Sequence, residues 1–125
     1  MSEKNCRNVR IVEVGPRDGL QNEKKILSTA DKFLLVEKLV SCGIKHIEAT
    51  SFVRAPRIPQ LADAEDLFAF INRSPQCEGV HFSALVPNMK GLEAAISADV
   101  KEIAVFTATS DAFNLKNINA TVEES

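Results

Sequence analysis

The sequence predicts an α/β protein built around a parallel β-sheet. Four short apolar runs typical of β-strands alternate with three amphipathic helical segments, in the order β-α-β-α-β-α-β. Such an alternation favours parallel strands that are joined by right-handed helical crossovers. Polar and charged residues also follow the strands directly, at the edge where α/β folds place their chemistry.

The predicted elements are separated by turns and capping residues. In chain order they are strand 10–14, a helix from Ser28 or Thr29 to Gly43, strand 44–50, helix 62–72, strand 80–86, a helix capped by Asn88 and running to 98, and strand 102–107. Ser, Thr and Asn accept hydrogen bonds from the first turn of a helix, and Gly tolerates the left-handed backbone after its last turn. A long polar loop is predicted after 107, and Thr121 with Glu124 resembles a capping box.

Two architectures share this order of elements. A doubly wound sheet usually carries a G-x-G-x-x-G loop after its first strand, whereas this chain has Gly-Pro-Arg-Asp-Gly at 15–19. A closed (β/α)8 barrel takes about 250 residues, so 125 residues and four predicted strands correspond to half of one. Because half a barrel leaves open sheet edges, we expect a missing C-terminal half or partner copies that cover them.

Composition and charge limit the classes of function. A net charge of −2 without a basic cluster argues against a nucleic-acid partner. No apolar run reaches the roughly 18 residues of a membrane span, and the N-terminus lacks the apolar core of a signal peptide. Cys6, Cys42 and Cys77 are scattered, which favours a reducing compartment. We therefore expect a cytoplasmic protein that binds neither nucleic acid nor membrane.

Charged residues after the first two strands define a candidate catalytic site. Arg17 and Asp18 follow strand 10–14, and Glu48 lies near the end of strand 44–50. An arginine there can hold a carboxylate or a developing enolate oxygen through paired hydrogen bonds, and an aspartate can bind a hard divalent cation. Glu48 can orient Arg17, although an ordinary surface ion pair between Arg17 and Asp18 is the alternative interpretation.

Other polar residues near the strands are weaker candidates. Gln21 and Asn22 come just after Asp18, where they could order the loop or touch a substrate. His46 and His81 lie at the start of their strands, so we expect them at the structural end of a barrel and not at its catalytic end.

The run 9–23, Val-Arg-Ile-Val-Glu-Val-Gly-Pro-Arg-Asp-Gly-Leu-Gln-Asn-Glu, resembles the opening of the 3-hydroxy-3-methylglutaryl-CoA lyases. The likeness continues through 47–53, 58–60, 87–91, 116–119 and 123–125. In the related isopropylmalate, homocitrate and citramalate synthases, Arg-Asp-Gly is usually followed by Glu-Gln, whereas Leu-Gln-Asn-Glu follows here at 20–23. The resemblance therefore favours the lyase branch of a barrel family that is named for its Asp, Arg and Glu signature.

This resemblance implies a (β/α)8 TIM barrel, of which the chain supplies roughly the first four β/α units. Residues 1–125 would be the N-terminal half of one lyase domain. The implied reaction is the cleavage of 3-hydroxy-3-methylglutaryl-CoA to acetyl-CoA and acetoacetate, a step of leucine degradation and ketone-body formation. The implied cofactor is a divalent cation, Mg²⁺ or Mn²⁺, and the implied assembly is a homodimer.

The resemblance also implies roles for individual residues. Asp18 matches the family's metal-binding aspartate, Arg17 matches the arginine that stabilises the enolate, and Glu48 matches the supporting glutamate. Gln21 and Asn22 are then expected to contact the acyl-CoA substrate, together with Arg17.

The family's remaining metal ligands, a His-x-His pair and an Asn, and its reactive cysteine belong to the second half of the barrel. We therefore expect this chain by itself to be inactive. The loop 54–57, Arg-Ala-Pro-Arg, also departs from the Ser-Pro-Lys-Trp expected there. Two alternatives stay open: a condensing synthase that acts on a 2-keto acid and acetyl-CoA, and a non-catalytic half-barrel module.

Overall fold

The protein is represented by a computed structural model that describes residues 8–53 and 56–125. Cys6 and the Arg54 end of the 54–57 loop lie outside the described residues. In chain order the elements are a π-helical turn Gly15–Gly19, α1 Thr29–Ser41, β1 His46–Ser51, a 3₁₀ turn Pro59–Leu61, α2 Ala64–Arg73, a 3₁₀ turn Pro75–Cys77, β2 His81–Leu85, α3 Met89–Ser97, β3 Glu102–Ala104 and α4 Asp111–Asn117.

The strands form a parallel sheet in the order β1-β2-β3. His46 is the register partner of His81, and Ser83 is the partner of Glu102. The register shifts between Glu48 and Thr50 in β1. This is the predicted βαβ arrangement, in which each strand is followed by a helix before the next strand is added.

The predicted first strand, 10–14, is not a regular strand. Its pairing with β1 is reduced to an isolated bridge between Glu13 and Ile47, in which Glu13 N donates to His46 O at 2.9 Å and Glu13 O accepts from Glu48 N at 2.9 Å. Val9 and Ile11 are 82% and 79% exposed. The prediction of a strand is wrong because this segment meets β1 at one point and then enters the turn at Gly15, so an apolar pattern alone does not supply a continuous ladder.

The region after β2 also departs from the prediction. β3 covers Glu102–Ala104 and not the predicted 102–107. The predicted polar loop beyond it contains α4, for which Ser110 Oγ accepts a weak capping hydrogen bond from Phe113 N at 3.4 Å. Asp and Asn have low helix propensity, so α4 has little local signal. It is held instead by Asn114, which is fully buried and bonds the backbone of Ala108 through both of its side-chain polar atoms.

The predicted caps of α1 and α3 are confirmed. Ser28 Oγ accepts from Asp31 N at 3.1 Å, and Asn88 Oδ1 accepts from Gly91 N at 2.9 Å. Gly43 follows α1 with a φ of +90°, in the left-handed region that favours glycine. The reciprocal bonds of a capping box join Thr121 and Glu124. Local hydrogen-bond chemistry therefore determines these boundaries.

The hydrophobic core lies between the sheet and helices α1, α2 and α3. It consists of buried side chains from all of these layers, namely Val36, Ile47, Ala49, Phe52, Ala64, Leu67, Phe68, Ile71, Cys77, Phe82, Ala84, Val86 and Ala95. Side chains alternate between the two faces of a strand. The register partners Glu48 and Ser83, each between two residues of this core, therefore belong to the face that the helices do not cover. Within 8–53 and 56–125, no helix is long and apolar enough to cross a membrane.

Candidate active site

The turn Gly15–Gly19 presents Arg17 and Asp18 at the edge of the sheet. The carbonyl oxygen of Val14 accepts hydrogen bonds from three successive amides, those of Arg17 at 3.1 Å, Asp18 at 2.7 Å and Gly19 at 3.3 Å. Pro16 is buried beneath the turn. Single π-helical turns of this kind are frequent at functional sites. Because three amides bond to the same carbonyl oxygen, the backbone conformation of this turn is fixed. The backbone positions that carry Arg17 and Asp18 are therefore fixed as well.

Arg17 and Glu48 form an ion pair at this edge. Arg17 Nε donates to Glu48 Oε1 at 2.6 Å, and the two side chains are 18% and 12% exposed. A charge-assisted hydrogen bond that is largely shielded from water is short and strong. The structure thus brings together the two residues that the sequence nominated from separate strands. Glu48 lies in the middle of β1, so a rigid element positions the guanidinium.

Asp18 lies on the open side of the same guanidinium. Arg17 Nη1 is 3.0 Å from Asp18 Oδ1, and the Asp18 side chain is 55% exposed. Arg17 therefore contacts one largely buried carboxylate, Glu48, and one exposed carboxylate, Asp18. The predicted ion pair between Arg17 and Asp18 is present in addition to the pair between Arg17 and Glu48. An exposed carboxylate oxygen is a suitable ligand for a hard cation. Among the residues that the structure describes, no group of three His, Cys, Asp or Glu side chains could hold a metal ion.

Asn22 orders the loop that follows. Its Nδ2 donates to the carbonyl oxygen of Asp18 at 2.8 Å, and its own backbone N donates to Gly19 O at 3.2 Å. Gln21, beside it, is half-buried. The structure thus shows the loop-ordering role for Asn22, while substrate contact by Gln21 and Asn22 stays a prediction.

The two histidines lie at the other end of the sheet. His46 and His81 stack with ring centroids 4.7 Å apart, each at the first position of its strand. Neither ring is among the described hydrogen-bond or ion-pair partners of Arg17, which bonds Glu48 and Asp18. The structure therefore places the two histidines at the amino ends of their strands, as the sequence predicted.

The cation of Lys32, which the sequence did not single out, is buried. The Lys32 side chain is 3% exposed, and its Nζ lies 2.5 Å from Asp63 Oδ1. A signal was present, because Lys32 precedes the buried Val36 by four positions and therefore lies on the inward stripe of α1. Because lysine is almost never fully buried unless it is paired, the sequence alone favoured an exposed position for Lys32.

A separate cavity of about 370 Å³ lies between the start of α2 and the start of α3. Its walls include Phe52, Asp63, Asn88 and Lys90. Arg17, Asp18 and Glu48 are not among the residues that line it, so it is distinct from the charged cluster at the sheet edge.

A parallel sheet with helices on one face and charged residues on its other face is the arrangement of a β/α barrel, of which these residues form a part. The family model described as HMGL-like matches residues 8–125. The chain belongs to this HMGL-like family of TIM-barrel proteins, and the predicted barrel class is confirmed.

Named relatives agree with this assignment. The chain is 52% identical over 117 residues to the mitochondrial hydroxymethylglutaryl-CoA lyase of Arabidopsis thaliana, covering 94% of this chain and 24% of the relative. It is 50% identical over 119 residues to the 3-hydroxy-3-isohexenylglutaryl-CoA/hydroxy-methylglutaryl-CoA lyase of Pseudomonas aeruginosa, covering 95% of this chain and 39% of the relative. The crystal structure of the HMG-CoA lyase from Brucella melitensis superposes with a TM-score of 0.83 at 52% identity, over 93% of this chain and 40% of that one. The chain thus spans between a quarter and two fifths of the length of these proteins.

Proposed function

We propose that this chain forms part of a divalent-metal-dependent carbon–carbon lyase that cleaves 3-hydroxy-3-methylglutaryl-CoA to acetyl-CoA and acetoacetate. The observation that carries the proposal is the Arg17–Glu48 ion pair at 2.6 Å with Asp18 beside it. Membership of the HMGL-like family and the names of the two relatives support the substrate class, an acyl-CoA.

The reaction requires stabilisation of negative charge at one oxygen. A base removes the proton of the 3-hydroxyl group, carbon 3 becomes the keto carbon of acetoacetate, and the bond between carbons 2 and 3 breaks. The electron pair of that bond passes to the departing thioester as an enolate, which gains a proton to become acetyl-CoA. Hydrogen-bond donors that are held in place before the reaction stabilise such a developing charge most effectively.

Arg17 is suited to stabilise the enolate. A guanidinium has five N–H donors, and the described contacts of Arg17 with Glu48 and Asp18 use two of them. The remaining donors can bind the thioester oxygen while Glu48 keeps the planar group from turning. Glu48 therefore acts through Arg17, and Gln21 and Asn22 complete the surface that contacts the acyl-CoA.

Asp18 fits the role of one ligand to Mg²⁺ or Mn²⁺. Its carboxylate is exposed on the open side of Arg17, and hard cations of this kind prefer oxygen ligands. When bound, the cation supplies Lewis-acid polarisation and a template for the hydroxyl and carboxyl oxygens of the substrate. A single carboxylate is one ligand, so the other ligands come from elsewhere in the complete protein.

The test is a substrate comparison with the complete protein that carries these residues. We expect the complete protein, with Mg²⁺ or Mn²⁺, to release acetoacetate from 3-hydroxy-3-methylglutaryl-CoA, and the 125-residue chain alone to be inactive. Condensation of a 2-keto acid with acetyl-CoA in place of cleavage would identify a synthase and reject the proposal. Inactivity on every acyl-CoA would favour the non-catalytic module.

A second candidate substrate is 3-hydroxy-3-isohexenylglutaryl-CoA, which the name of the Pseudomonas relative favours. The ratio of kcat/KM for the two acyl-CoA substrates decides between them. A role in leucine degradation, a homodimeric assembly and a cytoplasmic location stay predictions, to be checked by growth on leucine, by light scattering and by cell fractionation.

A further inference from the structure

Two charged residues behind the candidate site contradict the local preferences of the helices that carry them. Lys32 lies in the first turn of α1, where the helix dipole disfavours a cation, and it is nevertheless buried. Asp63 occupies the N-cap position of α2, yet its side chain makes no capping hydrogen bond. When local preferences are overridden in this way, the compensation lies in tertiary contacts.

Those contacts join α1 to the loop after β1. Lys32 Nζ lies 2.5 Å from Asp63 Oδ1 and donates to the carbonyl oxygen of Gln60 at 2.6 Å. The second carboxylate oxygen of Asp63 accepts from Thr29 Oγ1 at 2.6 Å. Both charges are therefore satisfied, and Lys32 holds the backbone of the 3₁₀ turn Pro59–Leu61 in place.

The chain of contacts continues from Gln60 to the candidate site. Gln60 Nε2 donates to the carbonyl oxygen of Glu23 at 2.9 Å. Glu23 follows Asn22, whose side chain donates to the carbonyl oxygen of Asp18. Residues 15–23, which we call the mouth loop, are therefore held at two points: by the Arg17–Glu48 pair near the start and by Gln60 at the end.

We propose that Gln60 and Lys32 are positioning residues for the candidate active site. Lys32 fixes the turn that carries Gln60, and Gln60 fixes the end of the mouth loop, so that the Asp18 carboxylate and the Arg17 guanidinium keep their relative placement. The catalytic part of this proposal rests on the proposed lyase function. The structural part, which concerns the order of the mouth loop, does not.

The decisive variant is Gln60→Ala in the complete protein. It removes the contact to Glu23 and leaves the Lys32–Asp63 pair intact, because Lys32 bonds the backbone carbonyl of Gln60. We expect hydrogen exchange at the amides of Asn22 and Glu23 to accelerate about tenfold, with the thermal midpoint nearly unchanged. We also expect kcat to fall about tenfold or more, with a smaller change in KM, because a small misplacement of catalytic groups is costly.

The matched control is Gln76→Ala. Gln76 also occupies the middle of a 3₁₀ turn after a proline, Pro75–Cys77, but at the far end of α2. If Gln60→Ala and Gln76→Ala give the same exchange rates and the same kcat, the proposal is overturned. Faster exchange with unchanged kcat would also overturn it, since the loop would then be ordered without consequence for catalysis.

A second variant separates folding from positioning. The pair Lys32→Met with Asp63→Leu replaces both charges by apolar groups, which often preserves stability. We expect it to retain the fold and still to accelerate exchange in the mouth loop, because the Gln60 carbonyl has lost its donor. Wild-type exchange in this folded variant would overturn the role of Lys32. If the wild-type protein cleaves no acyl-CoA, the lyase proposal fails, and the exchange data still decide the structural link.

Discussion

Two ion pairs, each of a cation with a carboxylate from a distant part of the chain, lie at different depths in this molecule. Arg17 and Glu48 are 18% and 12% exposed at the mouth, whereas Lys32 is 3% exposed behind it, with Asp63 at 20%. The ammonium of Lys32 contacts the Asp63 carboxylate and the Gln60 carbonyl, which belong to the same segment. Its contacts therefore hold that one segment in place. The described contacts of Arg17 use two of its five N–H donors. The Lys32 pair is thus enclosed by its own partners, whereas the Arg17 pair leaves donors for the ligand that the proposed function places at the mouth.

Replacing Arg17 should give the largest effect on activity. Arg17→Lys keeps the positive charge but loses the planar arrangement of donors. We expect kcat of the complete protein to fall about 10²- to 10³-fold, the range for losing a donor to a developing oxyanion. Arg10→Lys is the control, because Arg10 forms an exposed pair with Glu102 at 3.7 Å and lies outside the candidate site. Equal kcat for both variants would contradict the role of Arg17.

Breaking the deeper pair should give the largest effect on stability. Lys32→Met leaves Asp63 with its charge and without its cation, and we expect a loss of about 3 kcal/mol in the free energy of unfolding. Denaturant titration measures this loss. Lys101→Met is the control, since Lys101 pairs with Asp99 on the surface and that contact contributes little. A loss no larger than that of the control would show that the Lys32 pair does not hold the fold.

Gly91→Ala tests the packing that joins α3 to the strand edge. A Cβ at Gly91 would lie 2.6 Å from the carbonyl oxygen of Phe52, which is backbone and cannot turn aside. We expect destabilisation of about 1–3 kcal/mol from the forced shift. Gly19→Ala should be close to neutral in stability, because nothing lies within 4 Å of a Cβ there. Similar denaturation midpoints for the two variants would mean that α3 can shift to accommodate the Cβ without a loss of stability.

The smallest effect concerns acid stability near the C-terminus. Hydrogen bonds from the backbone and then the hydroxyl of Thr121 lower the pKa of Glu124 below its usual value. Because the folded pKa is the lower one, the contribution to stability is present above the unfolded pKa and is lost as the pH falls through the folded pKa. In Glu124→Gln, stability should therefore fall slightly less between pH 6 and pH 3 than it does in the wild type. The thermal midpoint, measured across this pH range, follows the change. A steeper acid loss in Glu124→Gln than in the wild type would show the opposite sign.

Several parts of the fold could be predicted because their causes are local. Ser28, Asn88 and Gly43 set helix boundaries through hydrogen bonds and a backbone conformation that act within a few residues. The strand predicted at 10–14 failed, because a strand exists only through its neighbours and this segment meets β1 at a single bridge. Helix α4 was missed for the complementary reason: Asn114, buried against Ala108, stabilises a segment of low helix propensity.

The candidate site also has a part that the sequence predicts and a part that depends on tertiary contacts. Arg17, Asp18 and Glu48 could be nominated because charged residues after apolar runs are unusual enough to be noticed in one dimension. The geometry of their contacts could not be predicted, since the guanidinium of Arg17 meets Glu48 at 2.6 Å and Asp18 at 3.0 Å only after the chain has folded. Spacing along the chain does not determine which of the two carboxylates is shielded from water and which is exposed.

The sequence by itself determined the alternation of strands and helices from β1 to β3, the caps of α1 and α3, and the identity of the charged residues in the candidate site. These follow from periodicity and from interactions between residues a few positions apart. Only the tertiary structure decided that 10–14 is a bridge, that α4 exists, and that Lys32 is buried against Asp63 with Gln60 linking it to the mouth loop. Each of these depends on contacts between residues far apart in the chain. Their free energy exists only once the sheet and helices have packed together.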